Sequence, residues 1–252
     1  MNDQVVATLL GLILCGALGL LVPRLISRVP EPAEKEPAEA EDEPEQPEAP
    51  GEPEPPKRAY ADIGADSGRA LRSAALSALS GALLGWATGL EWPLVWLLPL
   101  VPVAVALSVI DWHTRLLPRV LVIPATLAAI VAVVVVGLAT GERDLLVRAL
   151  VAMLAVRSFF WLLWFVRSAG MGFGDVRLAA PVGLVLGWTG WGALAVGVWL
   201  GFVIFALPGL ALAIAKRDRS LLRKPYPYGP FMVIGALVGL VWGPTIAAAL
   251  WG

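Results

Sequence analysis

Eight apolar segments, near residues 5–27, 71–90, 92–110, 119–140, 144–166, 176–189, 190–214 and 230–251, leave this chain few folds to choose from. A helix needs roughly 20 apolar residues to cross the hydrocarbon of a bilayer. A backbone in lipid must also pair its own N–H and C=O groups, so stretches of this length read as helices despite their valine content. The expected fold is all-α: a polytopic membrane protein with about eight transmembrane helices, the sixth of them short. With 58% hydrophobic and only 15% charged residues, the composition excludes an ordinary soluble domain.

The charges test that count. Residues 31–56 carry ten Glu, one Asp and one Lys, a local charge of −10; the whole chain is −1, so the remainder is about +9. No Lys or Arg precedes the first apolar run, while Pro23, Arg24 and Arg28 follow it, an order that favours a retained span with its N-terminus outside over a cleaved signal peptide. Threaded from that start, sixteen of the nineteen basic residues fall in cytoplasmic segments. Arg143 alone lies outside, and Arg148 and Arg157 lie within the fifth helix, as the positive-inside rule requires. Three regions follow: 1–28, a first transmembrane helix; 29–70, an acidic Pro/Glu-rich cytoplasmic linker; and 71–252, a membrane-embedded domain. The linker holds too few large apolar side chains to offset the entropy of ordering, so it is expected to be disordered.

Elimination narrows the chemistry. Of twenty carboxylates, Asp3, Glu91, Glu142 and Asp144 fall on the outer side, thirteen lie between Glu31 and Asp66, and Asp218 sits among basic residues. Two remain, Asp111 and Asp175, each at the cytoplasmic end of an apolar helix. The fourth helix goes out and the fifth comes back between them, so an even number of crossings returns both to one face. Ionisable groups at membrane depth are expensive, about 2.5–3.5 kcal/mol at a helix centre, and are functional candidates for that reason. Two carboxylates brought together share a proton: one acts as base on water while the other, protonated, polarises a carbonyl.

Each aspartate also has a plainer reading. Asp175 can serve as a helix N-cap, and Asp111 can pair with Arg115 at i, i+4 spacing. Neither explains the glycines of "GMGFGDVRLAA", residues 170–180, where Gly172 and Gly174 are expected to allow unusual backbone conformations and close approach of another chain. The Gly spacing does not fit the GxGxxG nucleotide loop, and no strand precedes it.

Gly172-Phe173-Gly174-Asp175 is a GxGD signature, and with it the chain resembles the type IV prepilin peptidases, the bacterial GxGD aspartyl proteases. "DWHTRLLPRVLVIP" from Asp111 looks like the family's first aspartate motif, "YPYGPFMVIGAL" like its late Gly-Pro segment, and "LCGALGLLVPRLISRVPEP" like its first helix. The resemblance covers most of the chain except residues 31 to about 70. It implies an aspartic endopeptidase of the plasma (inner) membrane. Its substrates would be prepilins or pseudopilins, cleaved at the cytoplasmic face just before their hydrophobic segment. It implies Asp111 and Asp175 as the catalytic pair, Gly172, Phe173 and Gly174 as the active-site loop, and neither a metal nor another cofactor. Tyr228, Gly229 and Pro230 would form a substrate or structural loop. Bifunctional relatives carry Cys-x-x-Cys pairs and methylate the new N-terminus; here the corresponding stretch is the acidic linker, and Cys15 is the one cysteine. N-methyltransferase activity is therefore not expected, and the short form is similar to the peptidases of Flp (Tad) pilus systems. The linker offers an anionic surface for the basic residues of a leader.

Other features read as structural. His113 has no second histidine and is taken as interfacial, and the tryptophans near helix ends as membrane-interface anchors. Arg157 either snorkels or faces Asp111 or Asp175. No nucleic-acid partner is expected. The competing class is a proton- or cation-coupled transporter using the same two aspartates.

Overall fold

In the computed structural model, residues 2–31, 58–166, 171–217 and 226–251 are described, the side chains of 212 and 213 aside. They form helices and no strand: α1 (Asp3–Gly19), α2 (Val22–Ser27), α3 (Tyr60–Ala65), α4 (Arg69–Thr88), α5 (Leu94–Thr114), α6 (Arg119–Ala139), α7 (Arg143–Val166), α8 (Phe173–Thr189), α9 (Trp191–Lys216) and α10 (Gly229–Trp251). Five of these, α5, α6, α7, α9 and α10, are long and apolar enough to cross a membrane. With α1, α4 and α8 they account for the eight apolar segments of the sequence.

Two differences from the expected layout stand out. The first apolar run is not one helix: α1 ends at Gly19, and α2 restarts with Pro23 in its first turn. Proline lacks the N–H that a continuous helix would need and is tolerated at a helix start. Most of the proposed linker, residues 32–57, lies outside the described residues. Its C-terminal part is not disordered, because Tyr60–Ala65 is helical, with Tyr60 and Ile63 buried against Val22, Ile26 and Ile110. The Tyr60 N–H donates to Glu31 Oε1 at 2.5 Å, and its side chain interacts with that of Thr114. Both ends of the acidic stretch thus meet at the Asp111 end of α5.

Small residues set the helix spacing. α1 packs along α4, and at Gly81 a Cβ would lie 2.6 Å from Cys15 Sγ, so only glycine lets the two backbones come this close. α8 is the central helix, buried over almost its whole length and packed on α6, α7, α9 and α10. Its far end is tied down by Arg148 of α7, which donates from Nε to the Gly187 carbonyl at 2.7 Å and from a terminal nitrogen to the Trp188 carbonyl. These are orphan carbonyls of a helix C-terminus, where a cation is doubly favourable. Arg148→Ala is expected to destabilise the bundle by about 1–3 kcal/mol, since two half-buried acceptors lose a charged donor; a melting temperature equal to wild type would contradict that role.

Candidate active site

Asp111 sits in the last turn of α5 and is only 4% exposed. The helix stops four residues later, where Arg115 adopts a left-handed backbone (φ 55°) and its N–H donates to the Asp111 carbonyl at 2.8 Å. One oxygen of the Asp111 carboxyl, Oδ2, accepts the N–H of Gly229 at 2.9 Å, the first residue of α10. The first-turn N–H groups of a helix have no intrahelical acceptor, so α10 begins by donating one to this side chain.

Asp175 lies across Leu117 from Asp111, next to Gly174, which like Gly229 packs on that side chain. It is in the first turn of α8, 7% exposed, and its N–H donates to the Gly172 carbonyl at 3.1 Å. The plain N-cap reading does not hold: Gly172 occupies the N-cap position, and no side chain caps the helix. The two carboxyl groups are within electrostatic reach of one another.

The glycines act differently from the sequence expectation. Neither Gly172 nor Gly174 is among the described glycines with positive φ. Gly174 is required by packing within the chain, because a Cβ there would lie 2.9 Å from Leu117 Cβ. Gly172 is exposed, and its missing side chain leaves space 3.8 Å from Asp175 Oδ2. Leu117 also approaches Gly229, so this one side chain spaces the starts of α8 and α10 beside both aspartates. In the sequence, the one signal that Leu117 carries is its place in the "LLP" of the first motif.

The two expected loops are largely helix starts, since Phe173 and Gly174 are the first residues of α8 and Gly229 and Pro230 the first of α10; the side chains there are supports. Phe173 packs edge-on to Trp164 with centroids 5.0 Å apart and lies under the Arg177 guanidinium. Tyr228 is buried on Phe160, Phe202 and Phe205 and within electrostatic reach of Asp175; its hydroxyl has no hydrogen-bond partner among the described residues. Pro230 stands in the first turn of α10, where its missing N–H costs nothing. His113 Nδ1 is 2.8 Å from the Val109 carbonyl, a contact within its own helix. Arg157 is exposed on the flank of α7. Among the described residues no three His, Cys, Asp or Glu side chains gather as a metal site.

The description "Type IV leader peptidase family" belongs to the sequence family whose model matches residues 98–243, which run from within α5 to within α10 and include both aspartates. The chain is 34% identical over 172 residues to a prepilin leader peptidase/N-methyltransferase of Stutzerimonas stutzeri, covering 68% of this chain and 57% of that protein. It is 32% identical over 171 residues to the protein of the same name from Pseudomonas aeruginosa, with the same coverage of each. No solved structure matches. The chain therefore belongs to the type IV leader peptidase family, a class of polytopic membrane peptidases. Among its relatives it stands beside prepilin leader peptidases, of whose length it spans somewhat more than half. The transporter alternative finds no support: these relatives are peptidases, and both carboxylates lie at helix ends rather than at mid-span.

Proposed function

We propose that the chain is an aspartic endopeptidase that removes the leader from type IV prepilins or pseudopilins, Flp-type precursors among them, at the cytoplasmic face of the inner membrane. The observation that carries this reading is the placement of Asp111 and Asp175, two buried carboxylates from separate helix ends, on either side of the one Leu117 side chain and within reach of one another's charge. They hold one proton between them. The ionised carboxylate takes a proton from a water molecule, whose oxygen attacks the scissile carbonyl, while the protonated carboxyl gives its proton to the carbonyl oxygen. Collapse of the tetrahedral diol then breaks the C–N bond: the proton taken from water passes to the leaving amine, and one diol hydroxyl returns its proton to the other carboxylate, which restores the shared proton. No metal or cofactor is needed for these steps.

The basic residues of the predicted loops support a cytoplasmic site and an outer N-terminus. Methyl transfer, the second half of the relatives' name, is not carried over, because the cysteine pairs it is associated with have no counterpart beside Cys15. A role for the acidic stretch in attracting the leader rests on its charge alone.

The test is direct. The full chain, reconstituted in liposomes with an Flp-type prepilin, should yield a product whose mass corresponds to loss of the leader immediately before its apolar segment. An intact precursor after prolonged incubation would sink the proposal.

A further inference from the structure

The two aspartate helices do not pack closely on each other; α5 and α8 both pack on α6 and α10, and an apolar cleft of about 120 Å³ lies between them. Its walls continue the stripes that carry the carboxyl groups. On α5 the stripe runs back from Asp111 through Leu107, Ala104, Leu100 and Leu97, at spacings of four, three, four and three residues, all facing the cleft. On α8 it runs forward from Asp175 through Leu178, Val182 and Val185, at three, four and three. Residues so spaced share one helix face. Val233, one turn beyond Gly229, closes the α10 side, and Ser80 is the one polar side chain of the lining.

We propose that this cleft is a primed-side pocket of the peptidase, receiving the first large apolar side chain after the scissile bond, seated against Leu107, Leu178 and Val233. The inference rests on the peptidase reading and deepens it. Continuity argues for this occupant. The aspartates do not line the cleft themselves, but its walls begin one helical turn from each, at Leu107 and Leu178, so the residues after a peptide bond held between Asp111 and Asp175 come within reach of a cleft with the chemistry of the segment it must release. Size agrees, since a dry apolar cavity of about 150 Å³ takes a single benzene ring, so this one takes about one large side chain. Selection then comes from apolar burial beside the cut, while the carboxyl groups stay free for the chemistry.

The full chain is compared with its Ala104→Leu variant on two substrates: an unmodified prepilin, and the same prepilin with its first large apolar residue after the cut changed to Ala. Filling the cleft should lower kcat/KM for the unmodified substrate about tenfold or more, the cost of expelling roughly two methylene groups. The loss on the Ala substrate should stay within about threefold. Equal losses on both, or no loss on either, overturn the proposal. A photoreactive residue at the same substrate position, presented to the Asp175→Asn full chain, should label Leu107, Leu178 or Val182; labelling confined to the outside of the bundle overturns it. So does a photoreactive phospholipid that labels these residues undiminished by saturating substrate, which makes an acyl chain the occupant. A wild-type chain that cleaves no prepilin removes the peptidase reading itself, whereas cleavage with unchanged selectivity removes the pocket alone.

Discussion

Asp111→Asn and Asp175→Asn, made one at a time, are each expected to lower leader removal by about 10³-fold or more while leaving the protein folded. Asparagine keeps the shape of the side chain but cannot exchange a proton, so the loss isolates the chemistry from the packing. At position 111 the amide oxygen still accepts the Gly229 N–H, and the joint between α5 and α10 survives. Because the pair acts as one unit, the double variant should be hardly slower than either single one. Cleavage of a prepilin followed on gels, beside a melting curve, decides the matter. A variant retaining a tenth of wild-type activity would mean that the pair is structural. The wild-type pH–rate profile should have two limbs. Activity falls in acid, where the base is protonated, and in alkali, where the acid has lost its proton. A profile flat from acid to alkali would show that the two groups do not work by proton exchange.

What was legible in the sequence was whatever one segment decides alone. Apolar runs bounded by Arg119 and Gly141, or by Arg143 and Arg167, state their own helices, and α6 and α7 begin at those arginines. Both aspartates emerged because a carboxylate is costly in apolar surroundings and few stand there. What sequence could not show was anything settled between distant segments. Tyr60–Ala65 is six residues long and, by itself, too short to hold a helix; it is ordered by the burial of Tyr60 and Ile63 on α2 and α5. Arg148 reads as a stray charge in an apolar helix until the carbonyls of Gly187 and Trp188 are placed beside it. The glycines of the GxGD motif suggested an open turn, but Gly174 answers to Leu117, which the chain brings in from a different loop. The cleft has no local signature, since its stripes are the same Leu, Val and Ala that elsewhere face lipid.

Gly229→Ala should separate positioning from stability at the same site. A methyl group there would lie 2.8 Å from Asp111 Oδ2 and 3.4 Å from Leu117 Cδ2. The first contact is shorter than carbon and oxygen tolerate, and Leu117 blocks retreat on the other side, so the carboxyl group has to move. The Gly229 N–H bond that orients it lengthens or is lost. A displacement of about 1 Å in a catalytic group costs on the order of 10²-fold in rate, and that is the loss expected in kcat. Stability should move far less. Gly229 is not among the described glycines with positive φ, so alanine fits its backbone and loses less entropy on folding, by about 0.4–1 kcal/mol. Gly174→Ala acts on the other aspartate only indirectly, because its methyl group would meet Leu117 Cβ at 2.9 Å rather than a carboxyl oxygen. Its loss should be the smaller of the two. A Gly229→Ala protein that melts near the wild-type temperature yet cleaves slowly would identify α10 as the element that aims Asp111. Full activity in that variant would leave the aspartate oriented by α5 alone.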